Sequence, residues 1–198
     1  MEQITSSLAP PRAPTANKAG PPASSQAGAG SIAKRLGNEL MTLMASLYIY
    51  FAHNELNQIL ADVLNPRSPF PKSDSNLFDW AGTIEGASGT VYSGLTFKLS
   101  IYFPPNYPYV APVINFETPC FHPNVDINSG AICLDILQDK WSAVYSVQTI
   151  LISLQSLLGE PNNASPLNPD AASLWNNQEA FKTQLLRCYR PVKDEHSA

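Results

Sequence analysis

An α+β fold is predicted by three features of the chain: apolar residues at helical steps from Ser31, strand alternation between Phe78 and Phe116, and helical spacing again after Tyr145. Helix, strands, a long irregular stretch and further helices follow one another in blocks. That order argues for helices segregated from an antiparallel sheet rather than alternating with parallel strands. No internal repeat is present.

The first helix is read from Ile32, Leu36, Leu40, Leu43, Met44 and Leu47, which recur at steps of three and four, with Ser31 as candidate N-cap. Lys34 and Arg35 lie off that stripe. Phe78, Trp80, Gly82 and Ile84 alternate with Asp79, Ala81 and Thr83. After the turn residues Gly86 to Gly89, Leu95, Phe97, Leu99, Ile101 and Phe103 alternate with polar neighbours and Tyr102. A third run, Val113 to Phe116, follows a proline-rich loop from Pro104 to Pro112. Strands joined by short connections predict an antiparallel meander with one buried face.

Val147, Ile150, Leu151, Leu154, Leu157 and Leu158 then form a second helical stripe, with Ser146 to cap it and Gly159 and Pro161 to stop it. A short helix around Pro169 to Trp175 and a last one around Gln178 to Tyr189 (Phe181, Leu185, Leu186, Tyr189) complete the domain.

Residues 1–30 hold five Pro, seven Ala, four Ser and three Gly, with only Glu2, Arg12 and Lys18 charged. Such composition has too little apolar bulk to offset the entropy of ordering and predicts a disordered tail. A transit peptide would carry more arginine and an amphipathic pattern. The expected organisation is therefore a tail over 1–30, one domain over 31–190 and a short tail over 191–198.

With 198 residues, 44% hydrophobic, the chain can bury one real core. A net charge of -4 and a pI near 5.3 give no electrostatic reason to expect nucleic acid. No apolar run approaches the ~20 residues of a membrane span. Nor does the N-terminus show the basic stretch and apolar core of a secretory signal. Cys120, Cys133 and Cys188 are an odd, widely spaced set, indicating neither a disulfide framework nor a zinc site. A reducing cytoplasmic and nuclear setting is expected.

The irregular stretch from Thr118 to Tyr145 is long for a compact domain, and such stretches are usually functional. It contains the triplet His122-Pro123-Asn124, the run Gly130-Ala131-Ile132-Cys133-Leu134-Asp135-Ile136-Leu137, and Trp141-Ser142. An isolated cysteine in an apolar run is ordinarily a core residue. That reading is kept for Cys120 and Cys188. Cys133, with the whole motif around it, is read as a nucleophile.

These motifs resemble the active-site region of ubiquitin-conjugating enzymes. Tyr107-Pro108 with Pro112 upstream, and Gly159-Glu160-Pro161-Asn162 with Pro166-Leu167 downstream, extend the resemblance over residues 31–44 and 77 to about 190. Glu39 to Met44, Tyr107 to Pro112, Thr118-Pro119-Cys120 and Gln155 to Asn162 resemble the cyclin-selective branch. So do Ala111 and Ala143, where many members have proline, and the Pro/Ala-rich tail. That branch works with the anaphase-promoting complex in cell-cycle protein degradation.

The resemblance implies that Cys133 accepts ubiquitin as a thioester from an activating enzyme and passes it to a lysine, with a ligase, expected to be the anaphase-promoting complex. Cysteine suits both acyl transfers, because its thiolate attacks well and leaves well. Asn124 matches the asparagine that steadies the oxyanion or its surrounding loop. Ser165 matches the gate position, where an Asp would help deprotonate the incoming lysine more than Ser does. Asp135 is read either as a catalytic carboxylate or as a solvated, capping one. His122 is read as a hydrogen-bonder holding the Asn124 loop, and Trp141 as a packing residue beside the cysteine. Lys34 and Arg35 are either a solvated face or part of the activating-enzyme surface. Tyr109, Ser142 and Ala143 match the two ligase-contact loops. No bound cofactor and no metal are expected, ATP serving only the upstream activating enzyme.

Two departures from the family stand out. The loop between Asn124 and Cys133 is one residue longer than usual, around Ile127 to Gly130. And 32 residues, Ala45 to Asn76, separate the first helix from the first predicted strand, with an atypical insert at about 46–68. Leu47 to Phe51, then Leu56, Ile59, Leu60, Val63 and Leu64, give it either an extended first helix followed by a second amphipathic one, or the look of a retained intron or misjoined exon. The latter would leave an impaired variant of the same fold acting as a binding module or decoy.

Overall fold

A computed structural model describes residues 24–52, 70–73 and 76–190. The first helix, α1, runs Ser24–Ala52, about 44 Å at 1.5 Å per residue. It therefore starts inside the stretch expected to be a disordered tail, and Ser31 lies within it rather than capping it. Ala27, Ala29 and Gln26 propagate a helix cheaply once the amphipathic segment has nucleated it. At the other end α1 continues through Ala52, as the extended-helix reading of the insert requires. Residues 53–69, with the second amphipathic run, lie outside the described residues, as do 1–23 and 191–198.

Four antiparallel strands follow in the order β1-β2-β3-β4: β1 Phe70–Ser73, β2 Asn76–Glu85, β3 Thr96–Tyr102 and β4 Val113–Phe116. Trp80 pairs with Ile101 and Ile84 with Phe97 between β2 and β3, and Leu99 pairs with Phe116 between β3 and β4. Period-2 alternation turns Trp80, Ile84, Phe97, Leu99, Ile101, Ile114 and Phe116 inward, all buried in one cluster with Ile32, Leu36 and Leu43 of α1. On the outer face Glu117 bridges Lys72 (3.3 Å) and Lys98 (3.1 Å).

β1 was not predicted; it carries a proline and lies within the segment between the first helix and the first predicted strand. β2 begins two residues earlier than predicted because Asn76 Oδ1 accepts from Phe78 N–H (3.0 Å) and Asn76 Nδ2 donates to Asp79 (2.6 Å).

A single-turn 3-10 helix, η1, spans Asp135–Leu137. The closing helices are α2 Val147–Gly159, α3 Pro169–Leu174 and α4 Gln178–Cys188. Ser146, Asn168 and Asn177 cap them, each side chain accepting a backbone N–H three residues on. Two predicted core residues are not core. Met44 is 51% and Leu186 51% exposed, at the edges of their stripes. On α1 the buried face instead includes Glu39, 5% exposed.

Candidate active site

The loop that carries Cys133 is a hairpin stitched to the edge of the sheet. Cys133 N–H donates to the Asn124 carbonyl (2.9 Å), Asp126 N–H to Ala131 (2.9 Å), and Phe116 N–H to Gly130 (2.9 Å). Asp126 Oδ1 closes the tip by accepting from the N–H groups of Asn128 (3.2 Å) and Ser129 (2.7 Å) and from the Ser129 hydroxyl (2.7 Å). Gly130 is required there. Its φ is +69°, and a Cβ would sit 2.0 Å from the Phe116 carbonyl oxygen. The register between Asn124 and Cys133 is closed by a hydrogen bond.

His122 and Asn124 are fully buried. Asn124 N–H donates to His122 Nδ1 (3.0 Å), which leaves Nε2 as the protonated nitrogen facing the Leu157 carbonyl (2.9 Å). Burial pushes the imidazole down to about 4, only partly opposed by the Leu157 carbonyl. The ring is neutral near pH 7 and is held between two backbone groups.

Asn124 Nδ2 donates to the Asn162 carbonyl (2.7 Å), and Asn162 N–H donates to Asn124 Oδ1 (2.8 Å). Five residues on, Leu167 and Asn168 N–H both donate to the Pro123 carbonyl (2.8 and 3.0 Å). Ser165, exposed, sits in the short loop pinned at both ends by the Pro123-Asn124 pair. The Asn124 amide is thus engaged with the backbone of the loop that bears Ser165.

Cys133 is half-buried, whereas Cys120 is 1% exposed and burial pushes its thiol up. Cys188 is half-buried at the end of α4, with Gln184 Nε2 3.8 Å from its sulfur. Asp135 opens η1 two residues beyond Cys133. Its carboxylate is held below the usual range by Lys140 (2.6 Å) and also accepts from Ile136 N–H (2.8 Å).

Trp141 Nε1 donates to the Pro108 carbonyl (2.8 Å), and its ring packs on Tyr107 and Tyr145 with centroids 6.2 and 5.9 Å apart. It therefore bolts the loop of Tyr109 to the loop of Ser142 and Ala143. Tyr109 is 85% exposed, and Val144, which sequence reasoning passed over, is 80% exposed beside the half-buried Ser142 and Ala143.

Lys34 points to solvent, but Arg35 does not share that freedom. Its guanidinium binds Glu39 (2.8 Å) and donates to the Tyr145 carbonyl (3.0 Å). Glu39 also accepts from the Tyr107 hydroxyl (3.1 Å) and from Val147 N–H (3.1 Å). Burial, and next the charge of Glu39, push Tyr107 up to about 12, so its hydroxyl remains a donor. Among the described residues no group of three or more His, Cys, Asp or Glu could hold a metal ion.

The family model described as ubiquitin-conjugating enzyme matches residues 52–189. Ubiquitin-conjugating enzyme E2-20 kDa of Schizosaccharomyces pombe is 54% identical over 165 residues, 83% of this chain and 84% of the relative. Ubiquitin-conjugating enzyme E2 N of Macaca fascicularis is 39% identical over 135 residues, 68% of this chain and 88% of the relative. Among solved structures, the H. polymorpha ubiquitin conjugating enzyme Pex4p, in complex with the soluble domain of Pex22p, is similar with a TM-score of 0.66 and 30% identity, covering 79% of this chain and 94% of that one. A Toxoplasma gondii ubiquitin conjugating enzyme E2 domain matches with a TM-score of 0.63 at 30% identity, with coverage of 79% and 94%. A hairpin-borne cysteine, a buried His-Pro-Asn brace and relatives matched over most of their own length lead to one conclusion: this chain belongs to the ubiquitin-conjugating enzyme family.

Proposed function

We propose that Cys133 is the residue that carries ubiquitin, and that the chain serves the anaphase-promoting complex in cell-cycle protein degradation. The observation that supports Cys133 is its position. It is the half-exposed cysteine at the end of the stitched hairpin, beside the loop that Pro123 and Asn124 pin.

In loading, the Cys133 thiolate attacks the carbonyl carbon of ubiquitin's C-terminal glycine. The bond from that carbon to the activating enzyme's sulfur breaks, and that sulfur leaves with the electron pair. ATP is consumed by the activating enzyme alone. In discharge, an acceptor lysine first gives one proton to solvent. Its Nζ then attacks the same carbon, the bond to Cys133 Sγ breaks, and the second amine proton leaves to solvent as the isopeptide forms. Asn124 serves by fixing the loop of Ser165, and Lys34 and the Tyr109–Val144 surface meet the activating enzyme and the ligase.

The assignment to the anaphase-promoting complex rests on the branch-like motifs, Ala111 and Ala143 among them. A cytoplasmic and nuclear location accords with that partner. The test mixes the purified protein with activating enzyme, ATP and ubiquitin, then adds purified anaphase-promoting complex and a cyclin. A thiol-sensitive adduct absent from Cys133→Ala, and ligase-stimulated transfer to the cyclin, are expected. An adduct surviving Cys133→Ala overturns the site. Loading without stimulation overturns the partner. No adduct at all would install the decoy reading.

A further inference from the structure

Asp135 is the nearest carboxylate to Cys133 along the chain, and two residues of backbone separate their Cα atoms by at most about 7 Å. Both of its oxygens are occupied. Oδ1 accepts from Ile136 N–H (2.8 Å) and Oδ2 from Lys140 Nζ (2.6 Å). The Asp135 carbonyl also accepts from Gln138 and Lys140 N–H (3.0 and 3.1 Å), so the segment closes on itself and returns the lysine to its own partner. Neither member is hidden, the side chains being 48% and 67% exposed for Asp135 and Lys140. The group on the carboxylate is a lysine ammonium, chemically the same group as the acceptor that must approach the Cys133 thioester.

We infer that Lys140 is a positioning residue that acts as an internal competitor of the acceptor lysine. While Lys140 holds Asp135, the carboxylate cannot draw an incoming ammonium to the thioester; when it swings away, the acceptor takes its place. An exposed ion pair is weak and screened by salt, so the closed form opens readily. Acceptor affinity is reduced by the fraction of time the carboxylate is free. Lys140 therefore raises the acceptor concentration needed for discharge, and discriminates against acceptors that no ligase holds in place. The inference rests on Cys133 being the thioester carrier.

The test is single-turnover discharge from purified, ubiquitin-loaded protein to free L-lysine over a range of lysine concentrations. Lys140→Met is expected to lower the half-saturating lysine roughly two- to fivefold, with a smaller change in maximal rate. Added salt should narrow the difference, Lys140→Arg should behave as the parent, and in an Asp135→Asn background Lys140→Met should do nothing further. A half-saturation that is unchanged or higher in Lys140→Met, or a fall that persists with Asp135→Asn, overturns the inference. A parent protein that fails to load on Cys133 is a separate result and counts against the carrier assignment.

Discussion

Asn124 and Asn162 exchange two hydrogen bonds, the side-chain amide of one closing on the backbone carbonyl and N–H of the other at 2.7 and 2.8 Å. One amide thereby sets the height of the loop that bears Ser165 over the hairpin that bears Cys133.

Asn124→Ala removes both bonds and leaves the Asn162 carbonyl and N–H without their side-chain partner. Unfolding free energy is expected to fall by about 1–3 kcal/mol, and discharge to lysine to slow by about tenfold or more. Urea titration and single-turnover discharge measure the two effects. Slowed discharge with an unchanged urea midpoint would return the amide to the oxyanion role.

Ser165→Asp would set a carboxylate on that pinned, exposed loop. Discharge near neutral pH is expected to rise severalfold, with the pH–rate profile moving to lower pH as the carboxylate helps the lysine shed its proton. A profile identical to the parent's would remove Ser165 from the gate.

The three thiols are expected to differ in access. Iodoacetamide at neutral pH should label Cys133 first, Cys188 more slowly, and Cys120 only on unfolding, because Cys120 is 1% exposed and burial pushes its thiol up. Peptide mass spectrometry over a time course gives the order. Early labelling of Cys120 would contradict the packing of the loop.

His122 makes stability depend on pH in a definite direction. Its folded value of about 4 lies below the ordinary 6.5, so between those values the unfolded chain binds the extra proton. The contribution is whole above pH 6.5 and is lost as pH falls towards 4, amounting to about 3 kcal/mol at most. Asp126 and Asp135, whose values are lowered by Ser129 and Lys140 respectively, act below that window. Chemical denaturation from pH 7 to 4 should show the loss, and His122→Gln should flatten the slope while lowering stability throughout.

Gly130→Ala is expected to cost more than about 1 kcal/mol and to slow loading, because both its φ and the nearby Phe116 carbonyl exclude a side chain. Thermal unfolding and thioester formation read it. Parent-like values of both would mean the hairpin can re-form in another register.

Much of this architecture was legible in alternation and helical spacing. Phe97, Leu99 and Ile101 against Lys98 and Ser100 fix β3 and its inward face, and Ser146 marks the start of α2. β1 was not legible, since four residues with a proline present no period. The start of α1 was hidden because Ser24 to Gly30 carry no apolar stripe and Gly28 and Gly30 argue against a helix, although Ala27 and Ala29 favour one. At the site, Cys133, His122 and Asn124 announced themselves by motif. Asn168 and the carbonyls of Asn162 and Pro123 did not, since a backbone acceptor has no residue signature. Glu39 entered the sequence analysis only as part of a branch-like motif, without a structural role. The available signal was its place between Leu36 and Leu43, three and four residues from each, on the face that turns inward.

Glu39 has one further consequence. A single carboxylate satisfies Arg35, the Tyr107 hydroxyl and the first N–H of α2, so the first helix and the loops around Tyr107 and Tyr145 share one keystone. None of these positions can drift alone: losing the acid strands three donors, and losing a donor leaves a buried charge short of company. Sequence variation at 35, 39 and 107 is therefore constrained to move as a set, and substitution has most room at the exposed Tyr109 and Val144, which lie outside that set.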